Sequence, residues 1–185
     1  MSSVAPDQGL YFIAIIPGEP VLNDAQKWKE HFATEYNSKA SLNSPPHITL
    51  HMPFKCKLKK EQSLIESLTI VARLSSFFDL KVEGFDAFPP RVIFLKVLKT
   101  ESLKLLNENI HQVMKTQFNI FNADYRNHPF IPHITLAFRD LKKDKFEEAW
   151  REFGSKPYQQ ELHVDQYWLL KHDGKKWQSY QKFSL

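Results

Sequence analysis

Pro45-Pro46-His47-Ile48-Thr49-Leu50 and Ile131-Pro132-His133-Ile134-Thr135-Leu136 are near copies of one hexapeptide, 86 positions apart. A second landmark follows the same rule. Leu80-x-Val82-Glu83-x-Phe85 returns as Leu162-x-Val164-Asp165-x-Tyr167, 82 positions later. Two landmarks at nearly constant offset mark a duplicated unit. Duplication as a structural device explains repeated strands. It does not explain why polar His and Thr recur at matching places.

The intervals between the landmarks fit this reading. Leu10–Ile16 is a short apolar run ended by Pro17-Gly18 and reads as a buried strand. Val21–Tyr36 has helical spacing, with Asn23 or Asp24 as a candidate cap. His47–Phe54 alternates as a strand, Lys60–Leu74 is an amphipathic helix, and Phe77–Phe88 is a strand. The order then restarts. Arg91–Leu98 is a strand, Ser102–Phe118 a helix, His133–Phe138 a strand, Leu141–Phe153 a helix and Tyr158–Leu170 a strand. Asp173-Gly174 turns the chain into a last strand, Trp177–Phe183. The expectation is an α+β fold in one bilobal domain over residues 1–185. Its repeats run approximately over 9–88 and 91–183, with helices flanking the strands about a pseudo-two-fold axis.

Composition narrows the chemistry. The 185 residues include only 5 glycines, no two of them closer than nine positions. Glycine-rich phosphate loops and dinucleotide fingerprints are therefore excluded. Any phosphate must be held by side chains. The net charge of +4 is a mild excess that suits a polyanionic partner. One cysteine, Cys56, cannot form an internal disulfide, which fits a reducing, cytoplasmic setting. Met1–Asp7 lacks the basic and apolar regions of a secretory leader. The longest early apolar run is far too short to span a membrane.

Strand periodicity puts His47 and Thr49 on one face, and Ile48 and Leu50 on the other. The same holds for His133 and Thr135 against Ile134 and Leu136. With the apolar pairs inside, two imidazoles and two hydroxyls can converge across a central cleft. Histidine titrates near pH ~6.5, so one imidazole can act as base while the other acts as acid. Cleavage of a phosphodiester needs those two proton transfers on opposite sides of phosphorus. Two Thr hydroxyls can donate to the non-bridging oxygens. No metal or other cofactor is required. Zinc is the competing use of paired histidines, but neither motif has a Cys, Asp or Glu beside it. His51 shares the expected face of His47, so that pair could chelate.

These residues resemble the 2H phosphoesterase superfamily, whose signature is two His-x-Thr/Ser-hydrophobic motifs in the halves of one chain. His47-Ile48-Thr49-Leu50 and His133-Ile134-Thr135-Leu136 match it at every position. Phe88-Pro89-Pro90-Arg91-Val92-Ile93-Phe94 is similar to the start of the second half in RNA 2',3'-cyclic phosphodiesterases, also called 2'-5' RNA ligases. The resemblance implies two antiparallel sheets around a water-filled cleft and metal-independent hydrolysis of 2',3'-cyclic phosphates. The substrates would be RNA 3' ends or small cyclic nucleotides, with no membrane and no obligatory protein partner. His47 and His133 become the acid–base pair, and Thr49 and Thr135 the phosphate binders. A binding module without turnover and a reversible 2'-5' RNA ligase use the same groups.

Further candidate substrate contacts are Tyr11, His51, Arg126 and Trp168. Tyr11 and Phe12 are neighbours on the first strand and cannot both face the core, so one of them offers a ring for stacking. Trp168 is a candidate cleft wall. Arg126 precedes the second motif by seven residues. His31, His111 and His128 read as surface residues, and His163 as solvent-facing. Lys55, Lys57, Lys59 and Lys60 could steer RNA, or simply solvate a helix start.

Overall fold

The computed structural model describes residues 5–121 and 129–185. The chain runs β1 (Gln8–Ile15), α1 (Val21–Glu35), β2 (Ile48–Lys57), α2 (Glu61–Arg73), β3 (Phe78–Phe88), β4 (Val92–Val97) and α3 (Glu101–Phe118). It continues through β5 (His133–Ala137), α4 (Lys143–Phe153), β6 (Gln159–Val164), β7 (Gln166–His172) and β8 (Trp177–Ser184). The strand–helix alternation read from periodicity is present in both halves.

Two expectations need correcting. The strands form one eight-stranded antiparallel sheet rather than two, in the order β6-β3-β4-β5-β2-β1-β7-β8. The halves are continuous because Ile48 on β2 pairs with Ile134 on β5. The strand expected over Tyr158–Leu170 is two strands that part at Asp165. β6 pairs with β3 and β7 with β1, at opposite ends of the sheet. The Asp165 carbonyl accepts the Leu185 N–H at 2.8 Å, where the chain crosses over.

Each half lends its parts to the other. α1 lies over β5, and α3 over β2. Alternation in β1 sends Tyr11, Ile13 and Ile15 into the main core with the helices. Phe12 and Ala14 join Leu170, Trp168 and Trp177 in a second cluster. α1 begins after Pro20, and the Glu19 carboxylate accepts the Asn23 N–H at 3.1 Å. Asn23 and Asp24 therefore lie inside the first turn and are not its cap. Gly84, at φ +66°, supplies the bulge between Val82 and Phe85 on β3. Among the described residues no helix is long and apolar enough to cross a membrane.

Candidate active site

β2 and β5 are adjacent, so their polar positions enter one space. Ile48, Leu50, Ile134 and Leu136 are buried in the core. His47, Thr49, His133 and Thr135 line a cleft of about 480 Å³. The two histidines have matching surroundings. His47 Nδ1 donates to the Pro45 carbonyl at 2.7 Å, and His133 Nδ1 to the Ile131 carbonyl at 2.7 Å. In each case the intervening residue is a proline, which restricts the residue before it to extended backbone. A carbonyl can only accept, so each neutral ring carries its proton on Nδ1 and leaves Nε2 as an acceptor. The His47 ring lies 4.8 Å from Phe12 at 49°, and the His133 ring 4.8 Å from Phe94 at 48°.

Both imidazoles are biased toward the neutral form. Burial pushes His47 down to about 4, and the positive charge of Lys29 and of His133 adds to this. The bond to Pro45 opposes the shift without cancelling it. Burial lowers His133 too, opposed by its bond to Ile131. Lys29 is itself buried, with Nζ donating to the Ser44 carbonyl at 2.6 Å. Burial brings it down to about 7.

Aromatic rings form much of the cleft wall. Phe12 and Trp177 pack edge-to-face at 4.6 Å, and Phe88 packs on Phe94 at 4.6 Å. Among the described residues, no Asp, Glu, Lys or Arg lines the cleft. Its polar groups are imidazoles, hydroxyls and the Asn107 amide.

The family model of the 2'-5' RNA ligase superfamily matches residues 17–176. The chain belongs to that superfamily. The resemblance carried by the two His-x-Thr motifs is thereby borne out. A relative from Oceanobacillus iheyensis named "Putative phosphoesterase OB1230" is 28% identical over 178 residues, covering 95% of this chain and 97% of its own. One from Geobacillus sp. strain WCH70, named "Putative phosphoesterase GWCH70_0799", is 29% identical over 162 residues, covering 86% of each chain. The fold is shared with a solved structure. E. coli LigT complexed with 3'-AMP superposes with a TM-score of 0.70 at 19% identity, over 96% of this chain and 98% of that one.

Within this superfamily fold, the other candidate contacts fall in different places. Tyr11 is fully buried in the core, and its hydroxyl donates to the Glu61 carboxylate. Phe12, its neighbour, is the ring that faces the cleft. His51 is also buried, because β2 bulges. Thr49 pairs with Ala14 but His51 pairs with Ile13, so one extra residue separates them and the alternation slips. His51 turns from the cleft to pack on His111, with ring centroids 4.9 Å apart. The His47–His51 chelating pair does not form. Trp168 packs in the second cluster with Phe12, and Trp177 supplies the cleft wall in its place. Arg126 and His128 lie outside the described residues. His163 is exposed beside Asp79, with Nδ1 2.7 Å from Oδ1.

Three polar residues were missed. His111, expected at the surface, lines the cleft, as does Asn107 one turn earlier on α3. Lys29 stands behind His47. Asn107 and Lys29 each interrupt the apolar stripe of an amphipathic helix, and that polar interruption was the available signal.

Proposed function

We propose that this protein is a phosphoesterase that hydrolyses 2',3'-cyclic phosphates of small nucleotides or RNA ends, by metal-independent acid–base catalysis between His47 and His133. The observation that carries this reading is the matched pair of imidazoles. Each is oriented through Nδ1 by a backbone carbonyl, and each lines the same cleft as a Thr hydroxyl. Superfamily membership and the phosphoesterase names of the relatives support it.

In this reading the phosphate lies between the two strands, with Thr49 and Thr135 donating to its non-bridging oxygens. His47, kept neutral beside Lys29, takes a proton from water through Nε2. The water oxygen bonds to phosphorus, and one ring P–O bond breaks. His133, protonated once the anionic phosphate is bound, returns a proton to the leaving oxygen. The product is an open monoester beside a free hydroxyl. The aromatic walls of Phe12, Phe88 and Trp177 suit a base or ribose stacked beside the phosphate.

The test is product formation from a panel of nucleoside 2',3'-cyclic phosphates with a chelator present, the phosphate position being read by phosphorus NMR. Hydrolysis is expected for the parent enzyme and loss of it for His47→Ala and His133→Ala, which stay folded. Full activity in the double variant, or strict dependence on added metal, overturns the proposal. Binding without product would indicate a binding module.

A further inference from the structure

Asn107 and His111 sit one helical turn apart on α3, and both reach the same backbone atom. Asn107 Nδ2 donates to the Leu50 carbonyl at 2.6 Å, and His111 Nε2 lies 2.9 Å from the same oxygen. The Leu50 carbonyl belongs to β2, one residue beyond Thr49, at the bulge that turns His51 away. β2 and β5 are in register at Ile48 and Ile134, and α3 packs against β2.

That carbonyl dictates the chemistry of both side chains. It can only accept, so the Asn107 amide must point its NH2 at it, and His111 must carry its proton on Nε2. What remains is acceptor on both: Oδ1 of Asn107 and Nδ1 of His111. Neither atom has a hydrogen-bond partner among the described residues, and neither is sealed from solvent. Both residues line the cleft, and Asn107 is only 8% exposed. His111 is also held neutral. Burial lowers its pKa, and the ring packed against it, His51, is lowered to about 4. Among the described residues, the polar groups in contact with His111 are the Leu50 carbonyl and the His51 ring.

We infer that Asn107 and His111 form a hydrogen-bond acceptor subsite beside the phosphate position, which selects substrates presenting an N–H or O–H donor there. The inference rests on the proposed reading of the cleft and adds what the substrate must carry. Adenosine 2',3'-cyclic phosphate offers two donors with this chemistry: the exocyclic amine of the base and the 5'-hydroxyl of the ribose. A pocket that bonds a donor rejects the analogue lacking it strongly, because the bound analogue displaces water from two fixed acceptors and leaves them unpaired.

Three substrates separate the sources. Purine riboside 2',3'-cyclic phosphate lacks only the amine of the adenosine compound. The 5'-deoxyadenosine compound lacks only the hydroxyl. One of the two is expected to show kcat/KM at least tenfold below adenosine 2',3'-cyclic phosphate. Asn107→Leu and His111→Phe are expected to bring that ratio close to one, while His111→Gln, which keeps both a donor for Leu50 and an acceptor, preserves it. Both analogues within twofold of the parent, or variants that depress all three substrates alike, overturn the inference. If nothing is hydrolysed, calorimetric binding of the same three compounds decides. A tenfold preference that the variants erase keeps the subsite and rejects the hydrolase reading. Binding without preference rejects the subsite, and no binding of any compound rejects both.

Discussion

Ile48 and Ile134 stand directly opposite each other where β2 meets β5, and each is fully buried between a His and a Thr that face the cleft. The pair joins the two halves of the sheet and sets the spacing of the four polar groups. Ile134→Ala is expected to cost roughly 2–5 kcal/mol, as for other large-to-small core changes. At about 2–4 °C per kcal/mol for a chain of this size, a thermal melt reads the loss directly. Activity at temperatures where the variant is still folded is expected to fall as well, because the register between the motifs loosens. A variant that melts lower but keeps full kcat would show that this contact serves stability alone.

In the proposed mechanism, Thr49 and Thr135, which both line the cleft, place hydroxyls where charge develops on phosphorus. Removing one preorganised donor from such a site costs roughly 10²-fold in kcat. Thr49→Val and Thr135→Val preserve shape and remove only the donor, and each is expected to lose about that much with little change in KM. Thr→Ser at either place is expected to retain most activity. Equal loss in Ser and Val variants would assign these residues to packing.

The faces of these motifs were legible from two-residue periodicity, and the helices from their apolar stripes. What was not legible came from single-residue slips and long-range pairing. Nothing near His51 announces the bulge that moves it off the face of Thr49 and into contact with His111. Asp165 resembles any polar residue in a strand, yet the chain crosses there between opposite ends of the sheet. Tyr11, the expected cleft ring, instead turns its hydroxyl to Glu61 inside the core, and nothing in the sequence separates it from Phe12, which lines the cleft. The joining of two expected sheets into one depends on Ile48 meeting Ile134 across the repeat, a contact that neither half encodes alone.

In the proposed mechanism, the pH dependence of turnover follows from burial of the two imidazoles. Both are lowered from the ordinary histidine value, His47 to about 4. The profile reports the macroscopic values of the base and the acid. The product of neutral base and protonated acid peaks between those values. For free enzyme, as read by kcat/KM, the optimum is therefore expected on the acid side of pH ~6.5. An optimum above pH ~7.5 would contradict the assignment of both roles to histidine.

Lys29 separates catalysis from stability. Its ammonium is fully buried and bonds the Ser44 carbonyl, three residues before His47. Its charge helps hold His47 neutral. Lys29→Met removes that charge, so the His47 pKa rises and the acid limb of kcat/KM moves to higher pH. The same change stabilises the fold. In the folded chain Lys29 titrates at about 7, against the ordinary lysine value of 10.5, so between these values the unfolded chain binds the extra proton. The cost of burying the charge is fully present below pH ~7 and fades as pH rises toward ~10.5. The variant is therefore expected to be more stable than the parent by on the order of 2 kcal/mol at neutral pH, with the difference shrinking in alkali. Chemical denaturation at pH ~7 and ~10 measures that trend, and the kcat/KM profile measures the limb. A stabilised variant with an unmoved acid limb would confine Lys29 to the core and leave the choice of base to His47 and His133 themselves.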